Sequence, residues 1–340
     1  MSAVASSIAF LLSLALSAVL SRYRGRYALL DLPNARSLHS GATPRTGGLA
    51  ILAGIVVAAC LASAWTWLPE AIWVAVAFLL VAAVSFADDL WRLPALARLL
   101  VHLLAAGLLV LTANYTPVVM HLLPGWQLGG PQWALAVFCL LLTTWLVNLY
   151  NFMDGMDGLA GGMAVIGFGT LTVLGLMVGS TTYALAAASV AAAAAGFLPF
   201  NFPPARLFMG DVGSGTLGFL VALFVLWAER AGLFPLWLGL LVFSPFLVDA
   251  TWTLTRRALH GRKPWVAHRE HFYQRLVQAG WSHRRTTLWA YFLMLKCSLF
   301  AALCIRFAAT GTQGLLLVWM TLTYLSLIAY VNVLERRASK

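Results

Sequence analysis

Apolar residues in this chain do not alternate with polar ones but run in blocks, at 3 to 20, 48 to 68, 71 to 87, 96 to 112, 133 to 149, 159 to 178, 183 to 200, 214 to 228, 234 to 255, 287 to 307 and 315 to 333. A membrane-crossing helix needs ~20 mostly apolar residues. The pattern therefore predicts an all-α, polytopic integral membrane protein of about 11 transmembrane helices, forming a single transmembrane domain over residues 1–340. The first block has no positive n-region and is followed by Arg22, Arg24 and Arg26, so it reads as a retained anchor with its N-terminus outside. The alanine run from Ala184 to Ala195 reads as a close-packing helix surface.

Composition agrees: 61% of the 340 residues are hydrophobic and 10% charged, with a mean hydropathy of +0.86. Soluble chains average nearer ~45–50% apolar. Cys60, Cys139, Cys297 and Cys304 lie in apolar blocks without a CxxC pair, so they read as core residues rather than disulfides or zinc ligands. The net charge of +11 could suggest nucleic acid until the cations are sorted by side. With eleven spans and the N-terminus outside, the connections 21–47, 88–98, 148–158, 201–215 and 256–286 and the C-terminus share one face, which holds 19 of the 22 Lys and Arg residues. By the positive-inside rule that face is cytoplasmic, and the basicity is topology rather than nucleic-acid binding.

Acidic residues crowd the same face. Asp88 and Asp89 stand at the mouth of the third span, where two adjacent carboxylates repel unless a cation or a shared proton separates them. Asn151, Asp154 and Asp157 are spaced by three between the fifth and sixth spans, with Gly155 and Gly158 interleaved. Hard oxygen donors in such small number suit Mg²⁺, which is usually held by one or two carboxylates plus waters and substrate phosphates. Phe208-Met-Gly-Asp211-Val-Gly-Ser214 opens the eighth span, where exposed backbone N–H groups favour anions and Asp211 would attract a metal-bound one. Cations complete the face: Arg45 in RSLHSGATPRTGG, and His268, Arg269, His271 and Arg275 in PWVAHREHFYQR. Arg supplies bidentate hydrogen bonds to phosphate oxygens. Asp249 is expected either to line this site or to pair with Arg256 or Arg257, and Lys296, midway along the tenth span, has no evident partner.

The ordered set RSLHSGATPRTGG, FADD, NLYNFMDGMDGLA, FMGDVGSGTLGF and HREH resembles the polyprenyl-phosphate N-acetylhexosamine-1-phosphate transferase family, over roughly Asp31 to Arg275. HREHFYQRL looks more like the bacterial branch that initiates O-antigen or related surface glycans than the muramyl-pentapeptide branch with its triple histidine. Arg92 stands where many members continue the acidic pair with a further acid or a lysine. The resemblance implies a bacterial inner-membrane enzyme that moves N-acetylhexosamine 1-phosphate from a UDP-N-acetylhexosamine to undecaprenyl phosphate. UMP is released, Mg²⁺ or Mn²⁺ is the cofactor, membrane lipids are partners, nucleic acid is not, and a homodimer is admitted.

Residue by residue, the resemblance implies that Asp211 holds the metal with Asn151 or Asp154 beside it. Phe208 would lie under the uracil, and Asp157 with Asn201 would contact the nucleoside. Asp88 and Asp89 would orient or deprotonate the lipid phosphate, and Arg45, His268, Arg269 and His271 would line the diphosphate and sugar. A muramyl-pentapeptide-type phosphotransferase and a secondary transporter are the rival readings. A transporter predicts an internal repeat and several mid-membrane charges, whereas no repeat is visible and Lys296 alone is clearly deep.

Overall fold

The computed structural model describes residues 2–23, 29–31, 42–61, 69–263, 266 and 268–338. Expectations for Arg36 to Gly41 and for Pro264, Trp265 and Ala267 lie outside the described residues. The chain is helical: α1 Ser2–Arg22, α2 Gly47–Leu61, α3 Pro69–Trp91, α4 Ala95–Gly107, α5 Gln132–Phe152, α6 Leu159–Met177, α7 Thr181–Asn201, α8 Asp211–Arg230, α9 Leu236–Val242, α10 Ser244–Leu259, α11 Phe272–Gln278, α12 His283–Arg306 and α13 Thr310–Ala338. Two short antiparallel ribbons accompany them, β1 Leu30–Asp31 with β2 Thr43–Pro44 and β3 Met120–Leu123 with β4 Trp126–Leu128.

Among the described residues nine helices are long and apolar enough to cross a membrane, or ten with α9 and α10 taken as one span; α2 is a shorter apolar helix. This is the multi-pass, all-α fold expected, with one departure. The apolar block 234 to 255 is not one straight helix: α9 and α10 meet at an angle of 85°. Pro245 stands in the first turn of α10, where its missing N–H costs nothing, but a helix continuing through it would lose a hydrogen bond and meet the ring.

Burial separates an inner from an outer layer. Most of the apolar window of α8, 89%, is buried, against 11% for α13. The inner helix is apolar all round, as a helix enclosed on every side must be. Around it pack α3, α5, α2 and α9. Tyr183, Phe168, Phe224 and Phe243 meet edge-on near its far half, with centroids 5.3 to 5.6 Å apart, the arrangement that aromatic quadrupoles prefer. Cys139, Cys297 and Cys304 are buried free thiols, while Cys60 is exposed.

The near end of α8 meets α2 with no side chain between them. A Cβ on Gly48 would stand 2.3 Å from the Gly213 nitrogen, closer than any side chain permits. Hydrogen bonds from Gly47 N–H to Phe208 O (2.9 Å) and from Gly48 N–H to Met209 O (2.7 Å) fasten the start of α2 to the segment that leads into α8.

Candidate active site

The site begins with an unusual helix start. Gly210, at φ 76°, turns the chain into α8, a conformation that glycine alone adopts freely. A Cβ there would lie 2.5 Å from Arg45 O and 3.0 Å from Asp89 Oδ2. No side chain of its own caps the helix. Asp89, in the last turn of α3, does so from outside: its Oδ1 accepts Asp211 N–H and its Oδ2 accepts Val212 N–H, both at 3.1 Å. An acid at the positive end of a helix is favoured by the dipole as well as by the hydrogen bonds. Arg45 adds its charge at 3.8 Å and donates to the Asp89 carbonyl. Asp89 is therefore buried and fully engaged in building the site.

Its neighbour Asp88 faces another way. Oδ2 of Asp88 takes Arg98 at 2.5 Å, and Oδ1 accepts Leu93 N–H at 2.6 Å. The same guanidinium lies 3.8 Å from Asp211 Oδ2 and is about one-third exposed (32%). One cation thus stands between two acids at the membrane end of α4. Asn151, in the last turn of α5, donates to Asp211 Oδ1 at 2.9 Å and to Ser214 Oγ at 3.1 Å.

The α5–α6 connection carries the other two acids. The Asp154 carboxyl has no hydrogen bond or ion pair among the described residues, and desolvation, with the charges of Asp211, Asp89 and Asp157, pushes it well above the usual carboxylate range. Asp157 Oδ2 accepts Ala205 N–H at 3.0 Å and lies 3.5 Å from His283 Nδ1. Asn201, buried at the end of α7, spends its amide on backbone: it accepts Gly158 N–H and donates to Leu207 O, both at 3.0 Å. It ties the acidic loop to the segment containing Phe208, which is half-buried with its N–H on Pro44 O at 2.7 Å.

The fifth connection closes on the same loop. Asp249, buried in α10, pairs with neither Arg256 nor Arg257; it takes His271 Nδ1 and Phe272 N–H at 3.0 Å each, and Tyr273 N–H at 3.4 Å. Tyr273 then donates its hydroxyl to Phe152 O at 3.2 Å, and the His271 ring stacks near Phe152. His268 lies 5.0 Å from His271 between ring centroids. Burial, then the neighbouring His271 and Arg257, push its imidazole down to about 4, so near neutral pH it is a neutral hydrogen-bonding group rather than a cation. Arg257 and Arg262 are taken by Glu270, whose carboxyl those two arginines hold below its usual range although partial burial acts the other way. Arg275 turns to Asn332 and Glu335 of α13, away from the loop. Arg269 is half-buried beside these residues, its carbonyl accepting from Gln278.

Asp88, Asp89, Asn151, Asp154 and Asp211 thus converge, with Arg45 behind Asp89. His271 reaches the loop through Tyr273 and Phe152. Arg98 was not singled out from the sequence, although a lone Arg opening an apolar block is a readable signal. Nor were His283, Thr287 and Tyr291, which grip the acidic loop from α12. Their spacing of four looks like any helix face until the partner is seen.

Residues 71–229, from α3 through almost all of α8, match glycosyl transferase family 4. A "Probable undecaprenyl-phosphate N-acetylglucosaminyl 1-phosphate transferase" of Bacillus subtilis is 29% identical over 341 residues, 99% of this chain and 94% of the relative. A decaprenyl-phosphate N-acetylglucosaminephosphotransferase of Mycolicibacterium smegmatis is 32% identical, over 78% of this chain and 73% of the relative. An undecaprenyl-phosphate alpha-N-acetylglucosaminyl 1-phosphate transferase of Escherichia coli K12 is 26% identical, over 76% and 72% respectively. With these relatives aligned over three quarters or more of its length and the acidic motifs gathered at one end of the bundle, the chain belongs to glycosyl transferase family 4, as a multi-pass membrane glycosyl-1-phosphate transferase.

Proposed function

We propose that this protein transfers N-acetylhexosamine 1-phosphate from a UDP-sugar to a polyprenyl phosphate, giving a lipid diphosphate sugar and UMP, at the cytoplasmic face of a bacterial inner membrane. The names of the relatives make N-acetylglucosamine the first donor to try and undecaprenyl phosphate the first acceptor. The product would feed surface-glycan or cell-wall synthesis. The observation that carries the reading is the gathering of Asp211, Asn151, Asp154 and the Asp88–Arg98 pair at the membrane end of α3, α4, α5 and α8.

The donor set fits Mg²⁺ on chemical grounds. Among the described residues no three His, Cys, Asp or Glu side chains form a ready cage, and Mg²⁺ seldom uses one, keeping waters and taking its remaining ligands from substrate phosphates. Asp154, an acid without a partner among other acids, is the group that a divalent cation would relieve. Asp211, Asn151 and Asp154 would hold the ion. When bound, it would neutralise charge on the diphosphate and the leaving oxygen.

The remaining work falls to the chain itself. Polyprenyl phosphate enters laterally, and its headgroup is drawn to Arg98, the partly exposed cation at the membrane mouth. Asp88 orients that arginine and accepts the proton of the acceptor phosphate when it arrives as a monoanion. A phosphate oxygen of the acceptor attacks the β-phosphorus of the donor, forming one P–O bond as the bond to the bridging oxygen breaks. UMP leaves with the bridging oxygen. Asp89 holds the start of α8 in place, so that Asp211 is presented without rearrangement, and positioning of this kind carries much of the rate in phosphoryl transfer.

The test is UMP release by the purified protein with a panel of UDP-N-acetylhexosamines, undecaprenyl phosphate and Mg²⁺, with and without chelator. No release from any donor would reject the reading. Exchange of labelled UMP into the donor without acceptor would replace direct attack by a covalent intermediate on a carboxylate.

A further inference from the structure

Helix α12 packs behind the α5–α6 loop and presents His283, Thr287 and Tyr291 at a spacing of four, which puts the three side chains on one face. All three end on the same two residues. Thr287 Oγ1 donates to Asp157 O at 2.8 Å, the Tyr291 hydroxyl donates to Gly158 O at 2.7 Å, and His283 Nδ1 lies 3.5 Å from Asp157 Oδ2. The same Oδ2 accepts Ala205 N–H at 3.0 Å. Asp157 is fixed at its carbonyl and at one carboxylate oxygen, from α12 on one side and the α7–α8 connection on the other. Its Oδ1 has no partner among the described residues.

An aspartate on a loop ordinarily has several rotamers open to it. These contacts select one and leave a single oxygen unspent. An ionised carboxylate is only an acceptor, so an organic group that hydrogen-bonds to Oδ1 must bring an N–H or O–H. A polyprenyl phosphate brings at most the one phosphate proton, which Asp88 is placed to accept. A nucleoside diphosphate sugar has several, on its base, ribose and sugar.

We propose that the α12 stripe is a positioning device for the donor substrate: Thr287, Tyr291 and His283 hold Asp157 so that its unshared oxygen accepts a hydrogen bond from the nucleotide-sugar and makes no contact with the lipid. The inference rests on the UDP-sugar reading above. It also assigns a role to a helix that lies beyond the residues matched to the family.

The experiment is steady-state kinetics of the full-length protein in lipid nanodiscs, varying donor and acceptor separately, for Thr287→Val and its conservative control Thr287→Ser. Loss of one positioning hydrogen bond should raise the donor KM about fivefold, leaving kcat and the acceptor KM within about twofold, and Thr287→Ser should restore the donor KM. A wild-type donor KM in Thr287→Val, or a parallel rise in both KM values, overturns the proposal. Should Thr287→Val fail to fold, His283→Gln reports the same split, with the same overturning results. A wild type that turns over no UDP-sugar rejects the functional reading itself, whereas an active wild type with an unsplit variant rejects only the role of α12.

Discussion

The two ends of α8 each carry carboxylates, and they are built on opposite principles. At the far end Glu229 is buried and completely satisfied: it accepts His121 N–H at 2.8 Å, His121 Nδ1 at 2.7 Å and the Leu236 N–H. One acid fastens the β3–β4 ribbon and the start of α9 to the central helix. At the near end Asp88, Asp89, Asp154 and Asp211 crowd together, with Arg98 shared between two of them and Asp154 left over. Buried charge is costly unless paired and hydrogen-bonded. The far end meets that condition within the chain, and the near end meets it only in part. Incomplete pairing is what distinguishes the end that carries the candidate site.

The largest expected effect separates these principles. Asp211→Asn should lower kcat at least tenfold, a loss of ~1.4 kcal/mol or more, with an unchanged melting temperature; retention of more than a tenth of the activity would remove Asp211 from its assigned role. Glu229→Ala should do the reverse. Leaving two buried N–H groups unpaired costs about 1–3 kcal/mol of stability, while kcat in the variant that does fold stays near wild type, and thermal unfolding beside turnover checks both halves.

Asp154→Asn sharpens the contrast from the other direction. A carboxyl whose folded value is raised binds its proton more tightly folded than unfolded. Folding is therefore favoured as pH falls through the folded value, and the cost of the charge is fully present above it. Near pH 7.5, without metal, Asp154→Asn should raise the melting temperature by roughly 2–4 °C while impairing turnover. A lowered melting temperature would mean that Asp154 is already stabilised within the chain. The smallest effect concerns His268. With its imidazole held down to about 4, it stays neutral between pH 5.5 and 8, roughly one unit or more above that value. His268→Gln should leave the shape of the pH–activity profile in that range unchanged, and a lost inflection would show that the histidine titrates there.

The apolar blocks were legible because lipid offers the backbone no hydrogen-bond partner, so long apolar segments have no alternative to helix. The acidic motifs were legible because acids are so scarce that their clustering stands out. What stayed hidden depended on partners far away in sequence. Phe243-Ser244-Pro245 lies in a block as apolar as its neighbours, and the 85° break appears only once α10 is seen to deliver Asp249 to the His271 turn. Asp88 and Asp89 read as an equivalent pair, yet helical geometry points them to different elements, one to Arg98 and one to the N–H groups of α8. Asn201 resembles a nucleoside contact by motif, while its amide is occupied by two backbone groups.

Asp89 also sets an order of events at the ribosome. Its hydrogen-bond partner Asp211 follows 122 residues later. At ~5–20 residues per second, the acid waits about 6–25 s in or beside the translocation machinery before the helix it caps has been made. Through that interval Arg45, made before it, is the partner of Asp89 already in the chain, while the N–H groups that it caps are still to come. Until then the third helix has its apolar contacts, the Arg45 charge and the Asp88–Arg98 pair to hold it, and the site is completed late, when the eighth helix arrives.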